Sequence, residues 1–527
     1  MRNLVALIFA FAIVGCNSSE TVHNQDLSSE IKSRTIQQAP NIIVVLADDM
    51  RADAAGYSGN PLINTPVIDK LAADGTVFES AFATSAVCTP SRTSILTGQY
   101  ERKHGVNFES HSILNNEAYN QTYPMLLKKA GYFVGYIGKN HTPIGENQAG
   151  VKGYKSSVMD TSFDYWYAGH KHLGFYPKER HAIFNNAKAD TQVEILEESV
   201  ENFVTPVEAF SHGNRFLASR PKDQPFALLI NFNIPHAAST GSMELRESDL
   251  ALYKSAYRDM TDKIAIPETF VANKNIIEPK LPDYVHNGEY LSSYDYAKEE
   301  SSLVERKIRE MQTISGVDKL IGKLQSYLDE QGIADNTIIV FTSDHGLMHG
   351  EFGLRGKVFL YEPSIRIPLI IYDPRIKNKK VDSSDELVAL VDIAPTLLSL
   401  AGLEVPAGMQ GMDLTPLLKG EKANWRDELF LENLMTIQNY PRMEAVRTHE
   451  WKYIRYFDKK NDGDYADYID QSIKGEKPIY EELYDLINDP KELSNLINEP
   501  GKAAVAKLLR DRNSVLVREL RGDHINE

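Results

Sequence analysis

The sequence predicts an α/β protein with a large, mostly parallel sheet flanked by helices, followed by a smaller C-terminal α+β subdomain with an antiparallel sheet. Three observations carry this reading. From Pro40 onward, short apolar runs alternate with amphipathic segments. The runs are nearly continuous in apolar residues, as strands buried on both faces require. After about residue 415 the pattern changes to closely spaced, short strand-like segments and one terminal helix.

The first strand is expected over Asn41-Ile42-Ile43-Val44-Val45-Leu46-Ala47, and Tyr132 to Ile137, Phe226 to Phe232 and Thr337 to Thr342 read the same way. Between the last two, Met311, Ile314, Val317, Ile321, Leu324 and Leu328 recur at steps of three and four, which marks a helix that Gly332 closes. A second helix begins near Pro90, a residue suited to a first turn, and stops at Gly98. In the C-terminal part, Glu428 to Leu431, Ala445 to Arg447 and Trp451 to Tyr456 read as antiparallel strands. Leu483-Tyr484-Asp485-Leu486 follows, then a helix from about Pro500 to Leu520. No repeat at solenoid periods is visible. The expected division is a catalytic domain over 39–415 and a subdomain over 416–527.

A chain of 527 residues, 42% hydrophobic, can bury a large core. Its formal charge of −16 excludes a broad phosphate-neutralising surface, so no nucleic acid is expected as partner. A local cluster of cations can still receive an anionic substrate. At the N-terminus, Arg2 precedes an apolar run from Leu4 to Gly15, too short to span a bilayer but suited to a signal peptide. Ile13-Val14-Gly15-Cys16 resembles the lipobox of bacterial lipoproteins. The resemblance implies a signal over 1–15, a lipidated Cys16 and a membrane anchor in a Gram-negative cell envelope, with Asn17 favouring the outer membrane over a periplasmic location. Residues 16–38, rich in Ser, Asn, Gln and Thr, read as a flexible tether with a span of roughly 25–30 Å. With Cys16 lipidated and Cys88 the only other cysteine, no disulfide framework is expected.

The strand ends carry the polar residues. The first run stops at Asp48-Asp49, the second at Lys139 and His141, the third at His236 and the fourth at Asp344-His345. Ligands bind outside the carboxyl ends of strands in open α/β sheets, so four runs delivering such groups to one edge mark a site. Adjacent carboxylates repel unless a cation lies between them. Asp48, Asp49 and Asp344 therefore suggest a metal, and oxygen donors favour Ca²⁺, with Mg²⁺ second. His345 is a softer ligand than either ion prefers. Cys88 falls at the expected helix N-terminus, where free N–H groups favour an anion.

Cys88-Thr89-Pro90-Ser91-Arg92 resembles the Cys-x-Pro-x-Arg element of type I sulfatases. Gly138-Lys139-Asn140-His141 lacks the first glycine and the Ser/Thr of a phosphate loop and is similar instead to that family's Gly-Lys-x-His element. Pro235-His236 and Gly356-Lys357 resemble two further elements, and the likeness continues through Arg366-Ile367-Pro368-Leu369 and Asp392-Ile393-Ala394-Pro395-Thr396. It covers nearly all of residues 40–500. This resemblance implies an alkaline-phosphatase-like core and a Cys88 oxidised to formylglycine by a dedicated maturation enzyme. The hydrated aldehyde would attack sulfur beside a metal held by Asp48, Asp49, residue 88, Asp344 and His345. Arg92 and Lys139 would stabilise charge, His236 or Lys357 would protonate the leaving oxygen, and His141 would deprotonate the second hydroxyl so that sulfate is expelled.

Substrate is less defined. Residues 142–185 form a long insertion with Trp166, His170, Lys171, His172, Arg180 and His181, and His170, His172 and Arg180 are candidate contacts to a sulfated sugar. By resemblance the expected partner is a sulfated polysaccharide or oligosaccharide, an algal glycan such as ulvan first and a glycosaminoglycan next. Two other readings fit the same residues: a phosphoesterase or phosphonate monoester hydrolase, and a non-catalytic glycan-binding lipoprotein.

Overall fold

The computed structural model describes residues 39–108, 113–144, 157–206, 210–212, 215–217, 220–239, 241–272, 280, 294–377, 381–421, 424–459 and 469–521. The expected signal peptide, Cys16 and the tether lie outside them. No helix among the described residues is long and apolar enough to cross a membrane.

Eight strands form the main sheet: β1 (Asn41–Asp48), β2 (Thr76–Phe78), β3 (Phe133–Asn140), β4 (Tyr165–His170), β5 (Phe226–Pro235), β6 (Thr337–Ser343), β7 (Leu369–Tyr372) and β8 (Ser383–Ser384). Their order is β8-β2-β7-β6-β1-β5-β3-β4. Only β7 runs against the others, so the sheet is mostly parallel as expected. The apolar runs begin and end within a few residues of the expected bounds, and the strands extend further into the polar residues at their carboxyl ends.

β1 is central and buried along its whole length. Ile43, Val45 and Ala47 enter one core layer, while Ile42, Val44 and Leu46 enter the layer on the opposite face. Each such aliphatic side chain contributes about 1.5–3 kcal/mol through burial, which is why the run has no polar alternation. The first layer is closed by α1 (Pro66–Asp74), α3 (Gln192–Val204) and α4 (Glu300–Glu330). α4 stops before Gly332, whose φ of 65° supplies the left-handed turn beyond the helix. Asp318 on α4 accepts the Val67 and Ile68 N–H groups at 3.0 and 2.7 Å, which caps the start of α1 from a neighbouring helix. The second layer packs under α2 (Cys88–Thr97) and α5 (Ile393–Leu400).

The C-terminal subdomain is an antiparallel sheet of four strands, β9 (Glu428–Asn433), β10 (Arg442–Thr448), β11 (Trp451–Phe457) and β12 (Tyr480–Asp485), covered by α6 (Ala503–Arg521). A third apolar layer joins it to the catalytic core, with Phe430, Met443, Ile454 and Tyr484 packed among Phe82, Val87, Phe359 and Tyr361. That layer brings the turn between β9 and β10 beside the carboxyl ends of the main strands.

Candidate active site

α2 starts at Cys88 itself and ends at Gly98, which takes the left-handed conformation at φ 65°. The helix is buried throughout and its first residue has no side-chain cap, so its N-terminal dipole opens toward the sheet edge. Cys88 is fully buried, and it is the free cysteine of the described residues.

The four long parallel strands at the centre of the sheet converge there. Asp48 closes β1 and Asp49 follows with φ 66°, a left-handed conformation in a non-glycine residue of the kind that gathers at functional sites. On β3, Gly138 has φ 93°, and a Cβ there would lie 1.9 Å from the Asn231 carbonyl oxygen. Only glycine fits, and the turn it makes aims Lys139 at Asp48, with a Nζ–Oδ2 distance of 2.5 Å. From β6, Asp344 accepts Arg92 Nε at 2.9 Å. His345 brings Nε2 within 3.4 Å of Cys88 Sγ and Nδ1 within 3.3 Å of Asp49 Oδ1. Lys357, beyond a short hairpin after β6, donates to Cys88 Sγ at 2.8 Å and to Asp49 Oδ1 at 2.9 Å.

Ligand atoms of Asp48, Cys88, Asp344 and His345 all lie within 4.8 Å of one another, a group able to hold a metal ion. Asp49 stands beside this group, its Oδ1 taken by the Lys357 ammonium. The electrostatics fit a cation. Burial and then the neighbouring Asp48 push the Asp344 carboxyl up to about 7 even though Arg92 pairs with both carboxylates. Burial also opposes the Asp48 anion, but the cations around it, Lys139 first and then Arg92 and Lys357, outweigh it and hold this group well below the carboxylate range. For Cys88, burial and Asp48 act upward, while Lys139, Lys357 and His345 prevail and bring the thiol down to about 7. Burial disfavours a charged His345, yet Asp344 raises it to about 9.

Three further histidines line up beside the centre. His141 lies 5.0 Å from His172 between ring centroids, and His172 stacks on His236 at 4.8 Å with 9° between planes. Burial comes first in holding all three well below the ordinary imidazole value, followed by Lys139 for His141 and His172 and by Lys357 for His236. A cleft of about 250 Å³ opens onto Cys88, Lys357, His236 and His172, with Phe108, Tyr294, Tyr296 and Arg306 on its walls. Met435, Gln438 and Tyr440 reach it from the β9–β10 turn.

Of the insertion residues singled out in the sequence, only His172 lines this cleft. His170 is held by Asp160 and Asn140, each at 2.9 Å, and Arg180 is exposed beside Gly174. Neither faces the cleft, because their contacts turn them into the insertion. Sequence reasoning missed Asn233, whose amide donates to Asp48 Oδ2 at 2.9 Å. It also missed Arg306, which lies on the helix read only for its apolar stripe. The one signal for Asn233 was its place just before Pro235-His236 at a strand end.

Comparison with known proteins agrees with this fold. Residues 40–403 match the sulfatase family, and residues 350–519 match the C-terminal region of N-sulphoglucosamine sulphohydrolase. The chain is 29% identical to an N-acetylglucosamine-6-O-sulfatase of Bacteroides thetaiotaomicron, over 90% of this chain and 85% of that protein. It is 27% identical to an ulvan-active sulfatase of Formosa agariphila, over 94% and 83% of the two chains. A solved structure in complex with its substrate D-glucosamine-2-N,6-O-disulfate superposes with a TM-score of 0.65, 26% identity and coverage of 92% and 99%. The fold also matches a phosphonate monoester hydrolase of Agrobacterium radiobacter, with a TM-score of 0.68, 20% identity and coverage of 92% and 96%. With residues 40–403 matched by its model, the chain belongs to the sulfatase family of sulfuric ester hydrolases.

Proposed function

We propose that the enzyme removes sulfate from a sulfated polysaccharide or oligosaccharide, with residue 88 acting as formylglycine after oxidation by a maturation enzyme. The observation that carries this is the convergence of Lys357, His345, Asp48 and the start of α2 on Cys88 Sγ. A formylglycine at this position supplies a hydrated aldehyde whose hydroxyl can attack sulfur. Asp48, Asp344 and His345 beside residue 88 would hold Ca²⁺, and a hard divalent ion there would neutralise sulfate oxygens and acidify the nucleophile.

The protein's own groups divide the remaining work. Arg92 is fixed by Asp344 and by the Phe232 carbonyl, so its charge is held beside the reacting centre. Lys139 holds Asp48 ionised. Lys357 touches Sγ itself and so attends the nucleophile. His236, on the cleft wall and 23% exposed through its side chain, is left as the group that protonates the departing sugar oxygen. His141, whose imidazole burial holds well below its ordinary value, can accept the proton of the second hydroxyl.

For substrate class the support is the similarity to sulfatases named for ulvan and for N-acetylglucosamine-6-O-sulfate. An algal glycan such as ulvan is our first assignment and a glycosaminoglycan the second. Desulfation of a defined panel of sulfated oligosaccharides tests this, and a matched pair of chromogenic sulfate and phosphate esters tests the reaction. A preference for the phosphate ester would turn the reading to phosphoryl transfer. We further infer that lipid on Cys16 anchors the enzyme at the cell envelope. Cys16→Ser should release it from membranes, and unchanged membrane association contradicts the anchor.

A further inference from the structure

Asn233 sits at the end of β5 with its side chain between Asp48 and His236. Its Oδ1 accepts the Leu173 N–H at 2.6 Å and the Gly174 N–H at 3.4 Å. Backbone N–H groups can only donate, so the amide orientation is settled and Nδ2 faces the other way. Nδ2 has two hydrogens and two neighbours, Asp48 Oδ2 at 2.9 Å and His236 Nδ1 at 3.1 Å. Asp48 is an acceptor, and His236 Nδ1 must be one too, because a proton on Nδ1 would meet an amide hydrogen. Nδ1 therefore carries no proton, and the proton the ring can give is on Nε2. The backbone of the same residue is gripped separately. Arg306 donates to the carbonyls of Pro235 and His236 at 3.0 and 3.2 Å, and its Nε is fixed by Glu310 at 2.6 Å. Glu310 is held in turn by His349 at 3.0 Å.

We propose that Asn233 and Arg306 are positioning residues that make His236 the proton donor of the reaction, Asn233 by selecting the Nε2–H tautomer and Arg306 by fixing the turn that carries the ring. This rests on the assignment of His236 to the leaving group. In the step itself the hydroxyl oxygen of residue 88 bonds to sulfur as the bond from sulfur to the sugar oxygen breaks; the electron pair of the broken bond stays on the sugar oxygen, which takes the Nε2 proton. The charge left on the ring is met by the Asn233 N–H at Nδ1 and by the nearby Lys357 ammonium. A neutral imidazole acting as electrophile in this manner is established chemistry.

The test compares a sugar sulfate, whose leaving alkoxide needs a proton, with an aryl sulfate, whose leaving phenoxide needs little help. In the matured enzyme, His236→Ala and Asn233→Asp should each lose about 10²-fold or more in kcat/KM on the sugar sulfate, and at least about tenfold less on the aryl sulfate. Arg306→Lys should split the two substrates in the same direction by a smaller factor. It does not touch Asp48, so it decides the matter if Asn233→Asp is found to lose metal. Nitrogen chemical shifts of labelled histidine, with His236→Ala identifying the signal, should show Nε2–H in the parent and Nδ1–H in Asn233→Asp. Equal losses on both substrates in the Asn233 and Arg306 variants, with a split retained in His236→Ala, would overturn the positioning role. No split in His236→Ala would instead overturn the assignment of His236 itself.

Discussion

Two regions of this protein bury charge, and they arrange it differently. Where β9 and β10 meet the core, Arg102 is enclosed by carboxylates. Its Nε donates to Glu432 at 3.0 Å and its terminal nitrogen to Glu444 at 2.7 Å, while Arg455 and Ser472 complete Glu444 at 2.8 and 2.6 Å. Burial acts upward on Glu444, but Arg102 and Arg455 prevail and lower it. At the candidate active site the carboxylates Asp48 and Asp344 approach each other around a thiol, and Asp344 is driven up to about 7 by burial and by its neighbour. In the first cluster Arg102 and Arg455 prevail at Glu444, while burial keeps Glu432 raised in spite of Arg102. The second is arranged around charges that a cation and a sulfate group would bring. Raised carboxyls therefore occur in both regions; what sets the candidate site apart is that ligand atoms of Asp48, Cys88, Asp344 and His345 gather within 4.8 Å of one another.

Breaking the two regions should give separable results. Cys88→Ala should reduce turnover by about 10⁴-fold or more while leaving the thermal midpoint within a few degrees, since it removes only a thiol at a helix start. Unfolding measurements beside single-turnover assays check both halves. Chelation should suppress activity, and at a free metal concentration near 100 times Kd its removal should cost about 3 kcal/mol of stability. Ca²⁺ should restore both, whereas restoration by Zn²⁺ alone contradicts a hard-ion site. Glu444→Ala should act the other way round. It removes the carboxylate that Arg102 and Arg455 share, leaving Arg455 without one, and should cost about 3–5 kcal/mol in denaturant unfolding. The rate per folded molecule should stay unchanged. A selective loss of kcat with parent stability would mean that the C-terminal clamp also serves catalysis.

The centre of the site was legible in the sequence because each of its residues ends a pattern. Asp48, Lys139, His236 and Asp344 close apolar runs, and Cys88 opens a helix between a proline and a glycine. The walls of the cleft were not legible. Gln438 and Tyr440 come from a turn of the other subdomain, with Gln438 at φ 60°, and no periodicity marks such a connection. Arg306 was hidden on a helix whose apolar stripe dominated the reading. His170 and Arg180 looked like His172 in the sequence, but side-chain direction inside an insertion depends on packing that spacing does not encode. The gross fold was easier, since parallel strands buried on both faces announce themselves by composition. The antiparallel direction of β7 was not, because direction follows from the path of the connections.

The account stands on residue 88 being the nucleophile in its oxidised form. The most direct measurement is the mass of the peptide bearing residue 88, taken on the same preparations whose specific activity is known. Activity should rise in proportion to the fraction of peptide in which the sulfur has been replaced by an aldehyde oxygen, and vanish when that fraction is zero. Full turnover from a preparation in which residue 88 is entirely an unmodified thiol would contradict it.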